Sequence, residues 1–268
     1  MHKVIAIPAR YGSSRFPGKP LAMLAGKPML QHVIEHAQTV ATAHQNTTII
    51  VTSEDQRILD FAAGFPVQAI RTGDCPSGTD RVMRAIEQLT EKPDVIVNMQ
   101  GDAPFTPPDF ISTLLQVFEE KPHTAVATIA TQLSWQALDN LRQQKLDSPF
   151  SGTTVVRNPA GEGVWFSKQI IPANRKEEQQ RTDSDLSPVL RHIGLYGYSY
   201  QALANYLTWP ESTYEKLEGL EQLRFLEHGV PIQVALVDYQ GRPAMSGVDT
   251  PEDLARAEAL LQAAQASS

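Results

Sequence analysis

The sequence predicts an α/β fold, a mostly parallel central sheet flanked by helices with a smaller β-rich insertion, and three observations predict it. Apolar, β-branched runs at residues 4–7, 48–52 and 95–99 read as short strands buried on both faces. Segments of helical apolar spacing fill the intervals between them. The two loops richest in glycine and charge each follow the end of one of these strands, where an open parallel sheet holds its ligands.

In chain order, the first strand stops at Pro8 and opens into a loop holding Gly12, Gly18, two serines and three cations. Met29, Leu30, Val33, Ile34 and Ala37 share one face of a first helix. Strand 48–52 runs through Ser53-Glu-Asp, a helix start, to Ile58, Leu59 and Phe61. Residues 67–70 make the next strand, and Pro76-Ser-Gly-Thr-Asp-Arg opens a helix with Val82, Ala85, Ile86 and Leu89 on one side. Strand 95–99 ends in Gln100-Gly-Asp-Ala-Pro, followed by a helix over 109–119 and a strand over 125–131. From Trp135 the rhythm changes: 154–157 and 164–166 pair as a hairpin, and 173–187 is polar and unpatterned, as a mobile loop would be. A strand over 191–198, helices over 201–207 and 215–228, and a strand over 232–237 follow. Thr250 as N-cap, Pro251 at the first helical position and Asp253 start a last helix that reaches 264. These segments form one domain, 1–268, with 135–200 as a hairpin-containing subregion.

At 268 residues the chain can bury a full core, and 41% hydrophobic with 20% charged residues is a soluble globular composition. A net charge of −7 argues against nucleic acid as partner, because a strand or duplex binder carries a basic footprint. Cys75 is the only cysteine, so no intramolecular disulfide forms. Met-His-Lys-Val runs directly into the first strand without a signal peptide, and no run is long enough to span a membrane, so a cytoplasmic protein is expected.

The first loop has the chemistry of a phosphate cradle. Gly12 and Gly18 let backbone N–H groups crowd a ligand, and Arg10, Arg15 and Lys19 supply charge suited to a triphosphate. It is not a P-loop: five residues separate Gly12 from Gly18, and Lys19 is followed by Pro20, which has no hydroxyl for magnesium. Asp102 lies just beyond a strand end, and Asp249 precedes a capped helix. Together, facing a cationic cradle, two such carboxylates suffice for magnesium, which binds through few protein ligands plus phosphate oxygens. Ser77-Gly78-Thr79 suits either helix capping or reading the polar edge of a base, while Arg81, His192, Glu221 and Gln222 each admit a purely structural role. Cys75 lacks a neighbouring base and is assigned no role.

These pieces resemble the 3-deoxy-manno-octulosonate (Kdo) cytidylyltransferases, the bacterial CMP-Kdo synthetases. The matching stretches are Ile7-Pro-Ala-Arg-Tyr-Gly-Ser-Ser-Arg-Phe-Pro-Gly-Lys-Pro-Leu21, Ser77-Gly-Thr-Asp-Arg81, Val97-Asn-Met-Gln-Gly-Asp102, Trp165-Phe-Ser-Lys168, Arg191-His-Ile-Gly-Leu-Tyr-Gly-Tyr198, Leu220-Glu-Gln-Leu-Arg224 and Gly247-Val-Asp-Thr-Pro-Glu-Asp253. The resemblance implies a nucleotidyltransferase of the glycosyltransferase-A-like type, usually a homodimer whose insertion serves dimerisation and the sugar side. It would make CMP-Kdo from CTP and Kdo for lipopolysaccharide, without nucleic acid or membrane as partner. By position, Arg10, Arg15, Lys19 and Asp102 would be catalytic. Ala9, Arg10, Ser13, Ser14, Lys19, Ser77 and Gly78 would hold CTP, and Asp102 with Asp249 would bind Mg2+. Arg81, Gln100, His192, Tyr196, Glu221 and Gln222 would surround the sugar acid. The chain departs from the family pattern at Ala103, where an acidic residue is typical, at Lys168, where arginine is common, and at Asn174. An amino-substituted Kdo or a nonulosonic acid is the alternative substrate these departures raise, and a non-catalytic nucleotide-binding regulator is the alternative of another class.

Overall fold

A computed structural model describes residues 1–13, 15–242, 244–245 and 247–266, and packing divides the chain into two compact units. Unit one comprises Met1–Gln116, Leu195–Ala204 and Tyr239–Ser268, and unit two Val117–Gly194 and Asn205–Asp238.

Unit one begins with β1 (Lys3–Pro8), the small hairpin β2 (Met23–Leu24) and β3 (Lys27–Pro28), and α1 (Met29–Ala43). It continues with β4 (Thr47–Ser53), α2 (Gln56–Ala62), β5 (Gln68–Arg71), α3 (Gly78–Ile86), β6 (Val95–Asn98) and the start of α4 (Pro108–Glu120). β1 pairs in parallel with β4 and with β6, and β4 pairs in parallel with β5. Val4, Ile5, Ala6 and Ile7 of β1 are fully buried, each large side chain contributing about 2 kcal/mol. α1 buries Met29, Leu30, Val33, Ile34, Ala37 and Val40, the stripe the sequence marks out. Because β1 and β6 are neighbours running the same way, the loops that follow them emerge at one edge of the sheet.

Unit two holds β7 (Val126–Ser134), α5 (Trp135–Asp147), the antiparallel pair β8 (Thr153–Arg157) and β9 (Gly163–Ser167), α6 (Glu177–Asp183) and most of β10 (Leu186–Ser199). The last residues of β10 lie in unit one, antiparallel to β6 from Tyr196 to Ser199. α7 (Tyr200–Thr208) follows, then α8 (Thr213–Glu218), α9 (Gln222–Glu227) and β11 (Ile232–Leu236), which pairs in parallel with β7. The last helix, α10 (Pro251–Ala266), returns to unit one. Among the described residues no helix is long and apolar enough to cross a membrane.

Three segments differ from the sequence reading. The 215–228 helix is two helices, because Gly219 takes a left-handed φ of 63° and ends α8. Residues 135–147, given no element from sequence, form α5, which buries only Trp135, Leu138 and Leu141 against Leu133 and Val189. The polar stretch 173–187 contains α6, which buries no side chain and is held by charge instead. Arg142 makes a two-point ion pair with Glu177, Arg181 bonds both Glu177 and Asp139, and the Arg181 guanidinium lies 4.7 Å from the Trp135 ring centroid.

Hydrogen bonds from Arg142 and then Arg181 hold the Glu177 carboxyl down to about 2, from an ordinary value of 4.5. A depressed carboxyl stabilises the fold above its unfolded value and loses that contribution as pH falls through the folded one. Glu177→Gln should therefore lower stability in urea melts at pH 7, with the gap to wild type narrowing below pH 4.5 and closing near 2. A gap independent of pH would exclude the ion network as its origin.

Candidate active site

The centre of unit one is an ammonium between two carboxylates. Lys19 begins a one-turn 3-10 helix after Gly18, whose φ of 71° turns the chain into it, and the residue is 4% exposed. Its Nζ bonds Asp102 Oδ2 at short range and Asp249 Oδ1 at 2.8 Å. Arg15 adds a looser contact to Asp249 at 3.3 Å. Burial alone would lower the Lys19 pKa, but the charges and hydrogen bonds of Asp102 and Asp249 outweigh it, so the ammonium holds its proton more firmly than usual.

Backbone contacts explain how residues so distant in sequence arrive together. The Gly101 N–H donates to the Pro8 carbonyl at 3.2 Å, and a Cβ on Gly101 would come within 2.9 Å of that oxygen, so only glycine fits. The Val248 N–H donates to the Asp102 carbonyl at 2.9 Å, bringing the Asp249 segment alongside. Fully buried Val248 packs with Leu24, Met29, Phe105 and Ala257, and Phe16 and Leu254 join them. Asp249 is then fixed by the start of α10. Asp253 Oδ2 accepts the N–H groups of Asp249 and Thr250 at 3.1 Å each, and Thr250 Oγ1 accepts that of Asp253.

Beside this centre Ala9, Arg10, Lys19, Ser77, Gly78, Arg81, Gln100 and Asp102 line one pocket of about 250 Å3, with Cys75 also on its wall. Ser13 is buried, and its hydroxyl accepts the Phe16 N–H at 3.3 Å, bracing the loop. Ser14, also expected at the nucleotide, lies outside the described residues. The Ser77 hydroxyl caps α3 through Asp80, the capping role the sequence allowed. Gln100 donates to the Asn98 side chain at 3.2 Å. Arg81, expected near the sugar, is on the wall of this pocket; it is buried and meets Glu54 at 2.7 Å, the Thr72 hydroxyl at 3.0 Å and the Gly73 carbonyl at 3.1 Å. Glu54 was missed from sequence because Ser53-Glu-Asp reads as a helix start, although a carboxylate just past a parallel strand end was the available signal.

The remaining expected sugar residues divide between the units. Tyr196 stacks on Tyr198 in unit one. In unit two, His192 meets Thr128 Oγ1 at 2.9 Å and the edge of Phe166, with so many protein atoms around its ring that burial pushes its pKa down to about 3. It is a neutral imidazole. Glu221 precedes α9 and is exposed, while Gln222 is buried and its side-chain nitrogen has no hydrogen-bond partner among the described residues. Among the described residues no three His, Cys, Asp or Glu side chains gather as a metal cluster. The donor set at Lys19 nevertheless suits a hard divalent cation, since two carboxylate oxygens already converge on one positive centre.

A family model described as Cytidylyltransferase matches residues 4–232. The chain is 41% identical over 264 residues to the 3-deoxy-manno-octulosonate cytidylyltransferase of Maricaulis maris, covering 98% of each. It is 39% identical over 264 residues to the 8-amino-3,8-dideoxy-manno-octulosonate cytidylyltransferase of Shewanella piezotolerans, covering 97% of this chain and 99% of that one. A solved CMP:2-keto-3-deoxy-manno-octonic acid synthetase complexed with CTP is similar with a TM-score of 0.83 at 37% identity, covering 98% of this chain and 100% of that one.

Replacing the bridging cation tests the centre directly. In Lys19→Met the two carboxylates face one another without the ammonium, and like charges sharing a site cannot both ionise freely. Lys19→Met should therefore melt below wild type at pH 7, and added magnesium should restore part of the loss. Melting curves that match wild type with and without magnesium would show that the acids do not share one site.

Proposed function

The chain belongs to the 3-deoxy-manno-octulosonate cytidylyltransferase family, and from that premise we propose that it transfers CMP from CTP to the anomeric hydroxyl of Kdo, releasing pyrophosphate, in lipopolysaccharide synthesis. The observation that carries the reading is the convergence of Asp102 and Asp249 on Lys19 at the edge of a pocket lined by Arg10, Ser77 and Gly78. A nucleotide's phosphates and a divalent cation need this combination of charges in one place.

The sugar hydroxyl attacks the α-phosphorus of CTP and the bond to pyrophosphate breaks, so positioning and charge neutralisation are the protein's task. Asp102 and Asp249 are the residues we assign to magnesium, which when bound would ease deprotonation of the attacking hydroxyl and stabilise charge on the phosphoryl group. Arg10, Arg15 and Lys19 are assigned to the triphosphate, where they stabilise the negative charge that develops on the leaving pyrophosphate. Ala9, Ser13 and Ser14 belong to the same loop. Ser77 and Gly78 are assigned to the cytosine, and Gln100, Tyr196, His192, Glu221 and Gln222 to the sugar acid. Two findings support the last group: the neutral His192 is suited to exchanging hydrogen bonds with hydroxyls, and the Gln222 side-chain nitrogen is a buried donor with no partner among the described residues. Arg81, on the pocket wall, is assigned to the sugar acid as well, and its contacts with Glu54, Thr72 and Gly73 hold the start of α3. No protein nucleophile is required. We assign the enzyme to the cytoplasm as a homodimer, in keeping with a sugar-activating reaction on free small molecules.

The experiment is magnesium-dependent pyrophosphate release with CTP, in parallel with Kdo and with its 8-amino form. Kdo should be the better acceptor, and preference for the amino sugar would move the enzyme to the specificity that the Shewanella piezotolerans relative's name describes. Asp102→Asn should lower turnover on the order of a hundredfold while the protein still melts cooperatively, because it removes charge from the site and no core contact. Undiminished turnover in that variant would remove Asp102 from the chemistry.

A further inference from the structure

The phosphate loop hangs on Tyr11, a residue with no obvious part in the chemistry. Its carbonyl accepts the N–H groups of Ser13 at 2.9 Å and Gly18 at 2.8 Å, so the loop from 11 to 18 closes on one oxygen. Its ring lies against Gly18, where an added Cβ would approach a ring carbon to 2.9 Å. Tyr11 is in turn gripped by the segment between β4 and α2. Its N–H donates to Glu54 Oε1 at 3.0 Å, and the Arg57 guanidinium sits 3.4 Å over its ring, held there by Asp55.

The other Glu54 oxygen meets Arg81, which is on the pocket wall. Oε2 lies 2.7 Å from Arg81 Nη2 in a close ion pair, with the side chains 20% and 6% exposed. Arg81 lies in the first turn of α3, two residues after Thr79 in the run that starts with Ser77 and Gly78, and fixes that turn to Thr72 and Gly73. One carboxylate therefore touches the phosphate loop with one oxygen and the α3 start with the other. Pairing with Arg81 also cancels a negative charge that would repel phosphates nearby.

A ligand held at two ends gains from the second contact only when the two subsites keep the spacing of the ligand. We propose that Glu54 is a positioning residue that fixes the distance between the phosphate loop and the start of α3, so that both ends of one nucleoside triphosphate are held at once. This rests on the reading of the pocket as a CTP site. Glu54 touches no reacting atom and acts through Tyr11 and Arg81.

The test compares full-length wild type, Glu54→Ala and Glu54→Gln by calorimetry with CTP, CMP and pyrophosphate as separate ligands, alongside melting curves. Glu54→Ala should weaken CTP about tenfold while CMP and pyrophosphate, each using one subsite, move less than about twofold. Glu54→Gln keeps an oxygen for the Tyr11 N–H but loses the charge that holds Arg81, so it should fall between, and it carries the comparison if the alanine variant does not fold. Equal weakening of all three ligands, or unchanged CTP affinity, would overturn the positioning role and leave the CTP reading standing. Wild-type protein that binds no CTP would overturn both.

Discussion

Two carboxylates and one buried ammonium share a point in unit one, and much of the local architecture exists to hold them there. Asp102 and Asp249 would repel one another at this range without a cation, so neither loop could settle where it does. The opposing forces are identifiable: the Val248 N–H on the Asp102 carbonyl, the apolar cluster beneath Val248, and the reciprocal cap between Thr250 and Asp253. Each lies within two residues of a charged group or inside the element that follows it. The fold thus spends packing and backbone hydrogen bonds to bring like charges together, a local conflict of the kind that marks functional sites.

The same constraint shapes how an anion is received. The chain is acidic as a whole, at −7, yet the loop after β1 gathers Arg10, Arg15 and Lys19. Of these, Arg10 is exposed on the pocket wall and Arg15 is mostly in solvent, so both can turn to a phosphate at little cost. Lys19 is different because its ammonium already satisfies two carboxylates. Its availability to a phosphate oxygen depends on how much other positive charge those carboxylates meet, which couples phosphate binding to the acid pair through one side chain.

The sequence made legible what depends on short-range pattern. Buried β1, β4 and β6 show as apolar runs, the α1 stripe as helical spacing, and the α10 start as Thr250, Pro251 and Asp253. The functional loops showed as glycine and charge after strand ends. What was not legible depends on tertiary partners. α5 has only three buried side chains, and their meaning appears only once Leu133 and Val189 pack on them. α6 buries nothing and owes its place to ion pairs with α5, Arg142 on Glu177 and its own Arg181 on Asp139, so its sequence looks like a loop. The break at Gly219 was hidden by a leucine pattern that continues through it. Glu54 and Arg81, far apart in the chain, are each ordinary alone and acquire a role only as a pair.

Lys168, in unit two, is a cation whose proton is held less firmly than usual: burial lowers its pKa, with Glu218 opposing. Glu218 in turn accepts hydrogen bonds from the Ser167 hydroxyl and the Lys168 N–H, both at 2.8 Å, which fixes the carboxylate beside the backbone of the lysine. Lys145 is lowered as well, first by burial and then by Lys168 and Arg191, so positive charge in this region is crowded. An arginine at 168 would keep its proton regardless and present a rigid fork, whereas a lysine offers a compact charge whose strength its surroundings set. His192, neutral at physiological pH, adds no positive charge. The positive charge at position 168 is therefore more tunable than an arginine would make it, and what tunes it is the balance between burial and Glu218.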